Sequence, residues 1–126
     1  MGYVQGMSFV AATILLAFGG NEYETFKLFA NLLNRDILFN FYQFDMQKVN
    51  IVFNVFMKLM RDRLPNLYSI FNETGLSCSV FLFEWIVALF SNIFPFGLTT
   101  RLWDNYFFYG DFFLMKLAIA ICTTIE

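Results

Sequence analysis

The chain of 126 residues contains no histidine. That single absence removes histidine-based triads, most zinc sites and the commonest general base. Any chemistry must rest on amides, carboxylates, hydroxyls or arginines. Cysteine occurs twice, at Cys78 and Cys122, both in apolar surroundings. Two such residues make no disulfide framework, and they suit a reducing compartment. Charge is also scarce: 14% of residues are charged, with eight basic against ten acidic and a net charge of -2. Nucleic-acid binding needs a clustered basic face, and none is present. The opening residues hold no positively charged stretch followed by a small-residue cleavage site, so no secretory leader is expected within them.

What the chain has instead is apolar side chains, 59% of the total, including 19 phenylalanines. Low hydrophobicity and high charge keep chains unfolded, and this composition is the opposite. Its length suits one domain or part of one. Strict apolar/polar alternation is missing, so strands are not expected. Apolar residues recur instead at three and four, which predicts an all-α fold.

About seven helices are expected. The first runs from about Gln5 to Phe18, apolar almost all round, as a helix at the centre of a core would be. Gly19 and Gly20 end it. Asn21 caps the second, with Glu24 three residues on in a capping-box arrangement. The segment NRDILFNFYQFD reads as an irregular connection. A third helix, about Phe44 to Leu64, places Val49, Val52, Phe53, Phe56, Met60 and Leu64 on one stripe. Gln47, Asn50, Asn54, Lys58 and Arg61 lie on the opposite one, a pattern that faces water. Pro65 starts a short helix that Gly75 closes. Ser77 or Ser79 caps a fifth, a sixth covers about Leu98 to Tyr109, and Asp111 caps the last. The run from Leu76 to Leu98 is long enough to raise a membrane span, which needs roughly 20 apolar residues. Glu84 near its middle, Pro95, Ser91 and Asn92 argue against it.

One polar side chain stands out. Gln5 lies between Tyr3 and Gly6, where the first apolar helix begins. Taken alone it reads as an amide that caps or lines the start of that helix. Tyr3-Val4-Gln5-Gly6-Met7, however, resembles the glutamine-finger motif of TBC domains, which activate Rab GTPases. The resemblance continues in family order along essentially the whole chain. Leu64-Pro65-Asn66-Leu67 follows the long helix, and an aromatic helix from Phe81 to Phe90 carries Trp85, a buried tryptophan in the family. Pro95 precedes Arg101-Leu102-Trp103-Asp104, and Gly110-Asp111-Phe112-Phe113-Leu114 leads into the last helix. Each string is weak alone, whereas the ordered set is specific.

The resemblance implies an all-α TBC domain and a mechanism. TBC domains insert an arginine and a glutamine into the GTPase active site. The arginine neutralises charge on the phosphates, and the glutamine positions the attacking water. Gln5 would be the catalytic finger. Gly6 would let the backbone approach the partner, and Tyr3 would pack beneath the loop and hold its shape. The partner implied is a Rab-family GTPase in its GTP-bound form, with no nucleic acid. GTP and magnesium belong to that partner, and the chain has no cofactor of its own. A cytoplasmic location follows, with peripheral attachment to endomembranes through the Rab.

The family's arginine motif, Ile-x-x-Asp-x-x-Arg, lies upstream of the glutamine and is not among these 126 residues. Residues 1–126 therefore read as a partial TBC domain, truncated at the N-terminus and toward the C-terminus. An arginine finger is worth roughly 10³ to 10⁵ in rate, so this chain alone is expected to be a poor activator and poorly soluble. Two other readings stand beside activation: a TBC-like module that binds a Rab without stimulating it, and an integral membrane protein. Arg101, three residues before Asp104 on one helix, reads as half of a structural ion pair. Trp85 and Trp103 read as core anchors.

Overall fold

The computed structural model describes residues 2–125 as eight helices with no strand among them. These are α1 (Met7–Ala17), α2 (Glu22–Leu32), α3 (Asp36–Tyr42), α4 (Met46–Arg63), α5 (Pro65–Thr74), α6 (Ser79–Val87), α7 (Phe96–Tyr109) and α8 (Phe112–Thr123). The all-α expectation holds; the expected seven become eight.

Helix ends follow the local chemistry. Gly20, with φ of 87°, returns its N–H to the Leu15 carbonyl at 2.9 Å and stops α1. The Asn21 side chain accepts the Glu24 N–H at 3.1 Å and starts α2. Pro65 occupies the first turn of α5, where no N–H is needed, and Gly75 closes that helix at φ 68°.

The extra helix is α3, inside the segment expected to be an irregular connection. Its face of Ile37, Leu38, Phe41 and Tyr42 is buried, and the spacing of four between 37 and 41, and between 38 and 42, is the helical repeat. The two phenylalanines and the Asn/Asp content around it obscure that short period. α4 is the central element. Val49, Phe56 and Met60 are fully enclosed, and the helix packs against α3, α5 and α8. The opposite stripe of Gln47, Asn50, Asn54, Lys58 and Arg61 faces out, as expected.

Three other expectations are corrected in part. α1 is not wrapped on all sides: it packs against α2 and α7, buries Met7, Val10, Thr13 and Ile14, and leaves Leu16 65% exposed. The N-cap position of α6 is Cys78, which makes no side-chain cap bond, while Ser77 Oγ one residue earlier accepts the first helical N–H, that of Ser79, at 3.2 Å. Asp111 stands at the N-cap position of α8 as expected, but its side chain makes no cap bond; its carboxylate accepts the Tyr106 hydroxyl at 2.9 Å instead.

The aromatic helix also ends sooner than its composition suggests. α6 stops at Val87, and Leu89 and Phe90 take left-handed φ values of 47° and 62°. The turn is enclosed, since both side chains are 1% exposed. Two hydrogen bonds brace it: Phe90 N–H donates to the Trp85 carbonyl at 2.7 Å, and Trp103 Nε1 donates to the Leu89 carbonyl at 2.8 Å. This turn breaks the Leu76 to Leu98 run. Among the described residues no single helix is long and apolar enough to cross a membrane. The one pair of helices with sufficient combined apolar length, α5 with α6, is bent by 115° at its break.

Candidate functional site

Residues 2–6 approach α1 through a tight turn. The Met7 N–H bonds back to the Val4 carbonyl at 3.1 Å, which places Gln5 and Gly6 at the two corner positions. Gly6 has φ of 112° and ψ of -28°, a left-handed geometry that β-carbon-bearing residues resist. Its carbonyl receives the first helical N–H groups, from Phe9 at 3.1 Å and Val10 at 3.3 Å.

Gly6 also sits against the end of α6. A β-carbon built on it would lie 2.8 Å from Val87 Cγ2 and 3.3 Å from both the carbonyl carbon and oxygen of Val87. Within this chain, then, the close approach that glycine allows is to Val87. Val4, 8% exposed, fills the space beneath the turn, and its N–H points at the Met7 sulfur at 3.4 Å. Tyr3 does not pack beneath the loop. It is 71% exposed, and its hydroxyl donates to Ser8 Oγ at 3.2 Å, strapping the outside of the turn to the first turn of α1.

The turn geometry turns Gln5 outward. The residue is exposed, and its amide has no hydrogen-bond partner among the described residues. The capping reading fails on the same point: Gly6 is the N-cap of α1, and no side chain caps that end. Gln5 instead borders a cleft of about 370 Å³, with Phe9 on one side and Phe44, Phe83, Glu84 and Asn92 on the other. Phe44 and Phe83 stack with ring centroids 5.6 Å apart and form an apolar wall. Glu84 is exposed and unpaired among the described residues, so the amide and one carboxylate share the same opening.

A larger cleft of about 470 Å³ lies between α4 and α8, bordered by Arg63, Lys116, Phe112 and Ile119. None of the expected site residues Tyr3, Gln5 and Gly6 lines it. Arg101 is exposed on α7 and makes no ion pair with Asp104 among the described residues. Trp103 is buried at 6% exposure, whereas Trp85 is half-buried and packs on Phe81 at 4.7 Å. Sequence reasoning missed Glu84 and Asn92 as neighbours of Gln5, and it missed Val87 as the seat of Gly6. No local pattern marks a residue that becomes important only because the chain returns to it some 80 positions later.

The chain belongs to the Rab-GTPase-TBC domain family, whose model matches residues 1–126. TBC1 domain family member 12 of Xenopus tropicalis is 36% identical over 126 residues, covering 100% of this chain and 18% of that protein. TBC1 domain family member 14 of Homo sapiens is 33% identical over the same length, again 18% of that protein. Drainin of Dictyostelium discoideum is 31% identical over 121 residues, 96% of this chain and 27% of that protein. The chain thus spans about a fifth of the length of the TBC1 relatives.

Proposed function

We propose that this chain carries the glutamine half of a two-finger site that accelerates GTP hydrolysis by a Rab-family GTPase in its GTP-bound form. The observation that carries the reading is the exposed Gln5, without a hydrogen-bond partner among the described residues, at the corner of a turn whose Gly6 lies against Val87. A water-positioning group needs a donor and an acceptor held in fixed relation, and a carboxamide supplies both. It must also reach into another protein without first breaking bonds of its own. Holding water in line for attack is a matter of orientation, and misplacement by about 1 Å can cost 10²-fold.

The nucleotide and its magnesium ion belong to the GTPase, so the chain itself needs no cofactor. Charge neutralisation by an arginine is the other half of the reaction. Among the described residues no arginine borders the Gln5 cleft. The two-finger site requires that arginine from the family's upstream motif, N-terminal to these 126 residues. Location at endomembranes follows from the GTPase rather than from any membrane segment of this chain.

The test is GTP hydrolysis by a panel of Rab GTPases with the full-length protein and its Gln5→Ala variant. The variant should lose stimulation by roughly 10² to 10³, the usual effect of removing one preorganised group from a transition state. Unchanged stimulation by Gln5→Ala would overturn the finger assignment. Tight Rab binding with no stimulation by the wild-type protein would establish the binding-module reading instead.

A further inference from the structure

We infer that Tyr42 is a positioning residue for the Gln5 finger, acting through the main-chain carbonyl of Val87. The inference rests on the finger reading given above. Tyr42 is the last residue of α3 and is 2% exposed. Its hydroxyl donates to the Val87 carbonyl oxygen at 2.6 Å, a contact between residues 45 positions apart.

That carbonyl needs a donor from outside its helix. In a continuing helix it would accept the N–H of residue 91. The chain instead bends through the left-handed Leu89 and Phe90, and the Ser91 N–H goes to the Ala88 carbonyl at 3.0 Å. The Val87 oxygen is therefore one of the orphan acceptors that every helix C-terminus leaves. Val87 is buried, at 2% exposure, so water does not serve it freely. A buried carbonyl without a partner is costly, and the Tyr42 hydroxyl fills the place.

The same carbonyl group lies against the finger turn. Its carbon and oxygen are the backbone atoms that a β-carbon on Gly6 would meet at 3.3 Å. Tyr42 thus fixes the carbonyl, the carbonyl backs Gly6, and Gly6 adjoins Gln5. Burial raises the phenol's pKa well above the ordinary tyrosine value, so it stays a donor across the physiological range.

Tyr42→Phe removes one oxygen and keeps the ring. In the full-length protein, with the Rab that responds best, the variant should lower the stimulated kcat by about tenfold, with KM for the GTP-bound Rab within about twofold of wild type. Trp103→Phe is the structural control. It removes the other buried side-chain bond to this segment, on the Leu89 carbonyl, whereas the atoms nearest a β-carbon on Gly6 all belong to Val87. It should lower the thermal midpoint yet leave kcat within about twofold.

The Gln5→Ala/Tyr42→Phe double variant should be no slower than Gln5→Ala alone, since both act on one amide. If Tyr42→Phe does not fold, Gly6→Ala displaces the same seat from the other side and should show the same loss of kcat with KM retained. Wild-type kcat in a folded Tyr42→Phe or Gly6→Ala protein would overturn the positioning role. So would an equal loss of kcat in Trp103→Phe, or a further loss in the double variant. A Gln5→Ala protein that still stimulates fully would instead overturn the finger reading itself, and the positioning role with it.

Discussion

At position 6 a side chain meets two penalties at once. The backbone is left-handed, and Val87 occupies the space that a β-carbon would fill. Gly6→Ala should therefore destabilise the fold by about 1–3 kcal/mol, read as a lower denaturation midpoint in urea. Cys78 and Cys122 present the opposite case of side chains sealed in. Each is at most 2% exposed, and burial pushes both thiols up to about 11. The folded chain holds these protons more tightly than the unfolded chain, whose thiols titrate near about 8.5. Their contribution to stability is thus complete below that pH and is lost as pH rises through about 11. Thermal midpoints measured from pH 7 to 11 should fall across this window, and neither thiol should react with iodoacetamide at pH 8 until the protein unfolds. Gln5 itself was legible in the sequence as an amide without an apolar purpose. Its outward orientation was not, because that depends on which of two corner positions in a turn it occupies.

At the scale of elements, legibility tracked the strength of local signals. Pro65 and Gly75 bracket α5 at the residues expected, because proline at the first turn and glycine at the last act through backbone geometry alone. Asn21 is a similar case, and Asn21→Ala should cost about 0.5–2 kcal/mol, measured by chemical denaturation. The two misread elements have a common cause. α3 has only seven residues, too few for its period to rise above the neighbouring phenylalanines. α6 carries apolar residues well past its end, and nothing in Leu89 or Phe90 announces a left-handed bend. Tertiary bonds from Trp103 and the enclosure of both side chains impose that bend. Local propensity does not contain them. These two elements happen to supply Tyr42 and Val87, so the support of the candidate site was less legible than the site residue it supports.

For the molecule as a whole, apolar surface is the dominant property. Phe108 is 82% exposed, Phe26 71%, Leu16 65% and Phe112 52%. Isolated apolar residues on a surface are ordinary, but extended apolar patches drive association. Sedimentation of the 126-residue chain across a hundredfold concentration range should show mass rising with concentration. A constant monomer mass, with cooperative unfolding, would refute this expectation. The order of family motifs along the chain was legible in full, and it led to the family that the comparison establishes. Which face of α1 stays exposed was not, because the helix is apolar almost all round and packs chiefly against α2 and α7.

The bond between Tyr42 and Val87 has a consequence for how activity would be lost. A finger loop held only by adjacent residues could loosen in mild denaturant while the rest of the domain stayed folded. Here its seat is tied by a bond between residues 45 positions apart, across two helices of the core. Such a seat is expected to make the loop open together with α3 and α6 rather than on its own. Stimulation of GTP hydrolysis in increasing urea should then decline along the same curve as helical circular dichroism, with no inactive folded species preceding it.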